Sequence, residues 1–328
     1  MSRKRPYGIA GAIGLAAVML ILAPIAAAAS FGTWGAPVNA ESVAGTDASF
    51  NTPFTDGCPI PSPDGLSFYM ASNRPGGLGG LDIWVAHRES VDGAWGAPEN
   101  LGSPINSSVD DFCPTPLRGG GLFFVSARSG GCGGPDIYFT RLNPKRGWLA
   151  PRNLGCQVNS AAGEAGPSLV TTQAGAGLYF SSTRPGGFDG SDAAGSSGDA
   201  DIYMSPLLAD GSFGAAALVA GLNSAYEDAR PNMRKDGLEI VFDSTRPGFG
   251  AADIYSASRS TTTAAWGTPV NLGSSVNSSA NESRASLSWD GLTLYFGSNR
   301  AGSELALDGV TVSNDVYVTT RERIAAGA

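Results

Sequence analysis

Short hydrophobic runs alternate with glycine- and proline-rich punctuation along most of the chain. The runs Leu66–Ala71, Leu122–Val125, Leu178–Phe180, Ile240–Phe242 and Leu294–Phe296 have the length of strands and are too short for helices. Each ends in Ser-x-Arg, giving Arg74, Arg128, Arg184, Arg246 and Arg300, which recur every 54 to 62 residues. A Gly-rich stretch follows each arginine, and then an aspartate opens a second apolar segment: Asp82-Ile-Trp, Asp136-Ile-Tyr, Asp201-Ile-Tyr, Asp253-Ile-Tyr and Asp315-Val-Tyr. A repeat of this length, made only of strands and turns, predicts four-stranded propeller blades.

Each unit reads strand by strand. A proline-containing inner strand such as Cys58-Pro-Ile-Pro-Ser62 meets a turn such as Pro63-Asp64-Gly65, whose Asp-Gly suits a tight hairpin. The apolar run forms the second strand, and the segment opened by Asp the third. An outer edge strand, tolerant of proline, carries Trp95, Trp148, Phe213 or Trp266. The fifth outer strand is missing after the last unit but present at the other end, at Trp34-Gly-Ala-Pro-Val-Asn39. The expected fold is therefore an all-β, five-bladed β-propeller of four-stranded antiparallel blades, closed by pairing of an amino-terminal strand into the last blade. The blades fall at about 55–103, 110–156, 163–222, 227–274 and 281–323, the last with 31–40.

Composition agrees with one large β domain. Of 328 residues, 46 are Gly and 21 Pro, while 42% are hydrophobic and 15% charged, which excludes a disordered or collagenous chain. Arg3, Lys4 and Arg5 precede an apolar run from Gly8 to Ile25 that ends in alanines through Ala29, the pattern of a cleaved signal peptide over residues 1–29. The competing reading is an uncleaved anchor, because the run approaches the lower limit of a membrane span. A secreted or periplasmic protein follows, touching a membrane only through such an anchor. The net charge of -8 becomes more negative once the leader's cations are gone, and no basic run follows, so nucleic acid is not an expected partner. A monomer is expected.

The Pro-Asp-Gly turn, Ser-x-Arg-Pro-Gly-Gly and Asp-Ile-Tyr together resemble the WD40-like (PD40) propeller repeats of the TolB type found in exported bacterial proteins, over residues 31 to 323. The resemblance implies an exported repeat propeller. TolB-like proteins carry six blades and a further α/β domain, and neither is visible here. Function does not follow from the fold, because propellers host many activities.

Candidate chemistry clusters on the face that holds the Ser-x-Arg loops, here called the top. The links between blades repeat as Asn followed five residues later by an acid, which places Asp56, Asp111, Glu164, Asp228 and Glu282 around the channel mouth. Such acids can accept backbone hydrogen bonds, bind a cation or sugar, or supply the carboxyl pair of a glycosidase. A catalytic pair should break the repeat, whereas all five acids are kept, so the structural role is expected. Each arginine is read as a loop clasp with the following aspartate: Arg74 with Asp82, Arg128 with Asp136, Arg184 with Asp201, Arg246 with Asp253 and Arg300 with Asp315.

Deviations from the repeat are more informative. Asp189, Asp192 and Asp199 lie in an enlarged third-blade loop and are candidates for calcium; no other cofactor is expected. Phe188, Tyr226 and Phe249 are candidate ligand-stacking aromatics. The four cysteines permit disulfides in three connectivities between which the sequence does not choose; Cys132 to Cys156 with Cys58 to Cys113 is the one expected. One histidine, His87, makes a zinc site a poor reading. The sequence thus predicts a non-enzymatic binding module or scaffold that recognises a cell-envelope protein or glycan through its top face. The alternative is a carbohydrate-active enzyme, a glycoside hydrolase or lyase, using the mouth carboxylates.

Overall fold

Inner strands run Asp56–Pro61, Asp111–Leu117, Glu164–Thr172, Asp228–Met233 and Glu282–Leu287, each the first strand of an antiparallel sheet. A computed structural model describes residues 30–188 and 199–324. In the five blades the second strands are Ser67–Ser72, Gly121–Ser126, Gly175–Ser182, Glu239–Ser244 and Thr293–Ser298. The third strands are Asp82–His87, Asp136–Asn143, Asp201–Pro206, Asp253–Ser258 and Asp315–Thr320. Short outer strands complete four of the sheets at Glu99–Asn100, Arg152–Asn153, Ala217–Leu218 and Val270–Asn271. Val38–Asn39 takes that place in the fifth, with Val38 opposite Val318 and Asn39 opposite Tyr317. A second terminal pairing, Ser30–Phe31 with Arg323–Ile324, lies just beyond it.

The core is built from the second strands, whose apolar residues are covered on both faces by neighbouring blades. Phe124, Phe180, Phe242 and Phe296 occupy one place in successive blades, and Met70 takes it in the first; all are fully buried. In four blades this phenylalanine faces a tyrosine of the third strand, with ring centroids 6.0 to 6.2 Å apart. Burying such rings against each other is the main apolar stabilisation available to a turn-rich sheet protein.

The inner strands share an irregularity that brings them together at the axis. Each ladder slips two residues after its opening acid, between Gly57 and Ile60 in the first blade and at the equivalent place in the others. The residue at the slip has a positive φ in every blade: Cys58 at 48°, Cys113 at 46°, Gly166 at 58°, Arg230 at 52° and Arg284 at 58°. A proline follows in four of them, at Pro59, Pro114, Pro167 and Pro231, where the ladder asks for no N–H. Gly166 has its glycine because the next blade closes in: a Cβ there would lie 2.6 Å from the Cα of Arg230.

Candidate functional site

At the top, the repeated residues form one clasp copied around the ring. The link acid, buried in every blade, forms an ion pair with the Ser-x-Arg arginine: Arg74 with Asp56 at 2.5 Å, Arg128 with Asp111 at 2.7 Å, Arg184 with Glu164 at 3.1 Å, Arg246 with Asp228 at 3.0 Å and Arg300 with Glu282 at 3.1 Å. Its other bonds come from the backbone N–H and hydroxyl four residues earlier, Thr52 for Asp56 and Ser107 for Asp111. The guanidinium also donates to the carbonyl before the link asparagine, such as Phe50 or Ile105, and lies over the third-strand aromatic. Burial pushes the Asp56, Glu164 and Asp228 carboxyls above the usual range, against the pull of serine or threonine hydroxyls and of the facing arginine.

This geometry corrects one expected pairing. The arginines do not clasp Asp82, Asp136, Asp201, Asp253 or Asp315; they reach back across the hairpin to the link acids. The second aspartates instead hold the top loop and the outer strand. Asp253, for example, accepts from the N–H groups of Phe249 at 2.7 Å and Gly250 at 3.1 Å and from Asn271 Nδ2 at 2.7 Å. In the fifth blade Asp315 accepts from the closing strand, through Asn39 Nδ2 at 2.9 Å, and from the Glu304 N–H at 2.8 Å. The link asparagines staple one blade to the next: Asn106 accepts from the Ile83 N–H at 2.9 Å and donates to the carbonyl of the same residue at 2.9 Å.

The link acids are therefore poor catalytic groups: they are fully buried and already engaged. Phe188 and Phe249 stand exposed at the top, each presenting its N–H to the aspartate that opens the third strand, the place Leu78 fills in the first blade. Tyr226 is also exposed. Asp189 and Asp192 lie outside the described residues, and among the described residues no group of three or more acids, histidines or cysteines is placed to hold a metal ion. Cys58 is bonded to Cys113, joining the first two inner strands at the axis, and Cys132 to Cys156.

The repeat breaks at the axis. Opposite the Cys58–Cys113 bridge stand Arg230 and Arg284, at the same slip position in the fourth and fifth blades. The second-strand column beside them reads Ala71, Val125, Ser181, Asp243 and Gly297, so a carboxylate appears in the fourth blade alone. Asp243 is buried; it binds the Arg230 guanidinium through both oxygens and accepts from the Arg284 backbone N–H at 2.8 Å. Glu227, on the link into this blade, reaches the same Arg230 nitrogen at 3.4 Å. Burial raises the Glu227 carboxyl, with the charge of Asp243 adding to the rise against the pull of Arg230.

The Arg284 guanidinium makes no hydrogen bond or ion pair among the described residues. It leans toward the first blade, where a Cβ on Gly57 would lie 2.7 Å from its Nη1. Burial and the neighbouring Arg230 charge push it down to about 10, so it stays cationic at neutral pH. The space enclosed among the five inner strands is about 30 Å³, room for a water and too small for a sugar ring. A ligand at this mouth must rest on it rather than enter. These residues escape a search for repeated motifs; reading the blades column by column and asking which blade departs would have found Asp243, Arg230 and Arg284.

The folded chain resembles several solved structures. A thermostable family-43 glycoside hydrolase is 12% identical, with a TM-score of 0.54, and the match covers 86% of this chain and 93% of that one. The endo-arabinase from Bacteroides thetaiotaomicron is 16% identical, with a TM-score of 0.53, over 91% of this chain and 99% of that one. A putative TolB from Agrobacterium tumefaciens is 15% identical, with a TM-score of 0.48, over 90% of this chain and 100% of that one. At these identities the likeness is one of fold. No protein family and no curated protein matches the chain.

Proposed function

We infer that the protein is an exported β-propeller binding module that recognises an acidic glycan of the cell envelope at the top axial mouth. One observation carries this reading: in a face whose repeated link acids are paired with arginines, Arg284 offers a half-buried guanidinium with no ion pair among the described residues, at the point where the repeat is broken. A guanidinium fork suits a carboxylate presented by a sugar, and leaving the cation unmatched is costly. Exposed Phe188, Tyr226 and Phe249 supply apolar faces on the same side of the ring for sugar stacking.

Hydrolysis is the second reading, favoured by the fold shared with the arabinase and the family-43 enzyme and by two carboxylates, Glu227 and Asp243, on one guanidinium. Glu227, its carboxyl raised by burial, stands beside Asp243, which Arg230 holds through both oxygens, and two carboxyls in such unequal settings suit an acid and its partner. The buried position of Asp243 weighs against it. Both readings are tested by calorimetry on uronate-containing and neutral oligosaccharides, run beside an assay for released reducing ends. Binding of the acidic set, lost by at least about tenfold in Arg284→Met and without sugar release, supports the module. Release of sugar by the native protein that stops in Glu227→Gln would establish the enzyme instead.

A further inference from the structure

The opposite mouth of the channel carries a second departure from the repeat. The inner hairpins turn there through Ser62-Pro63-Asp64-Gly65, Leu117-Arg118-Gly119-Gly120, Thr172-Gln173-Ala174-Gly175, Arg234-Lys235-Asp236-Gly237 and Ser288-Trp289-Asp290-Gly291. The last glycine is kept in all five and takes a positive φ at Gly65, Gly120, Gly175, Gly237 and Gly291, and Asp precedes it in three. The residue two before the glycine is free to vary, and it does: Pro63, Arg118, Gln173, Lys235 and Trp289. Three of these converge from three different blades. The Arg118 guanidinium lies 4.8 Å and the Lys235 ammonium 4.7 Å from the Trp289 ring centroid.

Beneath them is a cavity of about 380 Å³ with aliphatic walls that include Ile60, Leu117, Val170, Met233 and Leu287. That volume falls within the range of small-molecule sites. Arg118 and Lys235 are exposed, and among the described residues neither has an ion pair, in a protein with a net charge of -8. The neighbouring acids are engaged elsewhere. Asp64 accepts from Ser62 and Leu66, Asp236 pairs with Arg234, Glu239 with Arg234 and Arg321, and Asp290 accepts from Ser288 and Leu292. The Trp289 indole N–H is buried and makes no hydrogen bond, an unmet donor at the rim of a mostly apolar cavity.

We propose that this bottom cavity binds an amphiphilic carboxylate, its apolar body among the aliphatic walls and its carboxylate between Arg118 and Lys235. The polar wall residues Thr115, Ser168, Asn232 and Ser288 are already bonded within the protein and leave little for the many hydroxyls of a sugar, whereas an alkyl chain gains from each methylene buried. The indole holds the two cations at the rim by cation–π contact, so that less side-chain freedom is lost when an anion arrives. The site lies at the other end of the inner strands from the top mouth, and the axial space next to it is only about 30 Å³.

Octanoate is the probe, titrated by calorimetry into the folded protein, with acetate and 1-octanol as controls for head and tail alone. Saturable one-to-one binding of octanoate is expected, at least about tenfold tighter than either control. Arg118→Met with Lys235→Met should lower octanoate affinity by a similar factor without moving the melting temperature, since both side chains are exposed. Val170→Trp should fill the cavity and abolish binding. Arg284→Met should leave octanoate binding unchanged, which separates this site from the top one. Absence of saturable binding, equal binding of 1-octanol, or full affinity in the double variant overturns the proposal.

Discussion

Arg74 shows why the most conspicuous residue of the repeat is structural. Its guanidinium meets Asp56, the carbonyls of Ser49 and Phe50, the Ser72 hydroxyl and the Trp84 ring, and it is almost completely buried. Arg74→Ala leaves a buried carboxylate without its cation, a change that costs about 3–5 kcal/mol. Urea unfolding should show that loss in the midpoint, and octanoate affinity of the folded fraction should be unaltered. A midpoint within experimental error of the native protein would contradict the clasp. Asp315 makes a different prediction. Burial raises its carboxyl to about 6, against the hydrogen bonds of Glu304, Ser313 and Asn39. The folded state therefore takes up this proton before the unfolded chain does, so the contribution of Asp315 is most favourable at low pH and is lost as pH rises through about 6. The melting temperature should fall between pH 5 and pH 7.5, less steeply in Asp315→Asn; equal slopes would reject the assignment.

Among the elements, the inner strand departs most from what the sequence suggests. The second and third strands are legible because each buries an unbroken apolar run and opens or closes on a fixed polar residue. Arginine pairing was not. Arg74 and Asp82 sit at the two ends of one loop, which suggests a clasp, but the hairpin register places Asp56 opposite Ser72 and so beside Arg74. That register depends on the slip after Gly57, which no residue type announces: Cys, Gly and Arg all occupy it. The same variety hid the axial site, since Arg230 and Arg284 look unrelated to Cys58 and Cys113 until the slip aligns them. The Cys58–Cys113 bridge spans 55 residues and ties two inner strands at this position. By the chain-entropy account its removal costs about 4 kcal/mol. Paired Cys58→Ser and Cys113→Ser substitutions should lower the denaturation midpoint accordingly, and an unchanged midpoint would show that the strands hold the axis without it.

For the whole molecule, counting units in the sequence was enough to obtain the ring, because each blade is a self-similar piece and the missing outer strand had a counterpart near residue 34. What could not be read there was which mouth holds a ligand, since that depends on where variable side chains from several blades meet. Trp289, Arg118 and Lys235 are far apart in the chain and come together only through closure.

That closure has a consequence for synthesis. Val38 and Asn39 are translated before any of the blades, whereas their partners Val318 and Tyr317 belong to the third strand of the last one. The emerging blades can form hairpins from local pairings, but the fifth sheet stays incomplete, and Val38–Asn39 unpaired in it, until Asp315–Thr320 has emerged. Nascent chains halted at residue 300 should remain sensitive to protease at both ends, and resistance should appear only when the segment through residue 320 has been released. The ring is thus completed in one late step, by a strand that has waited through the making of every blade.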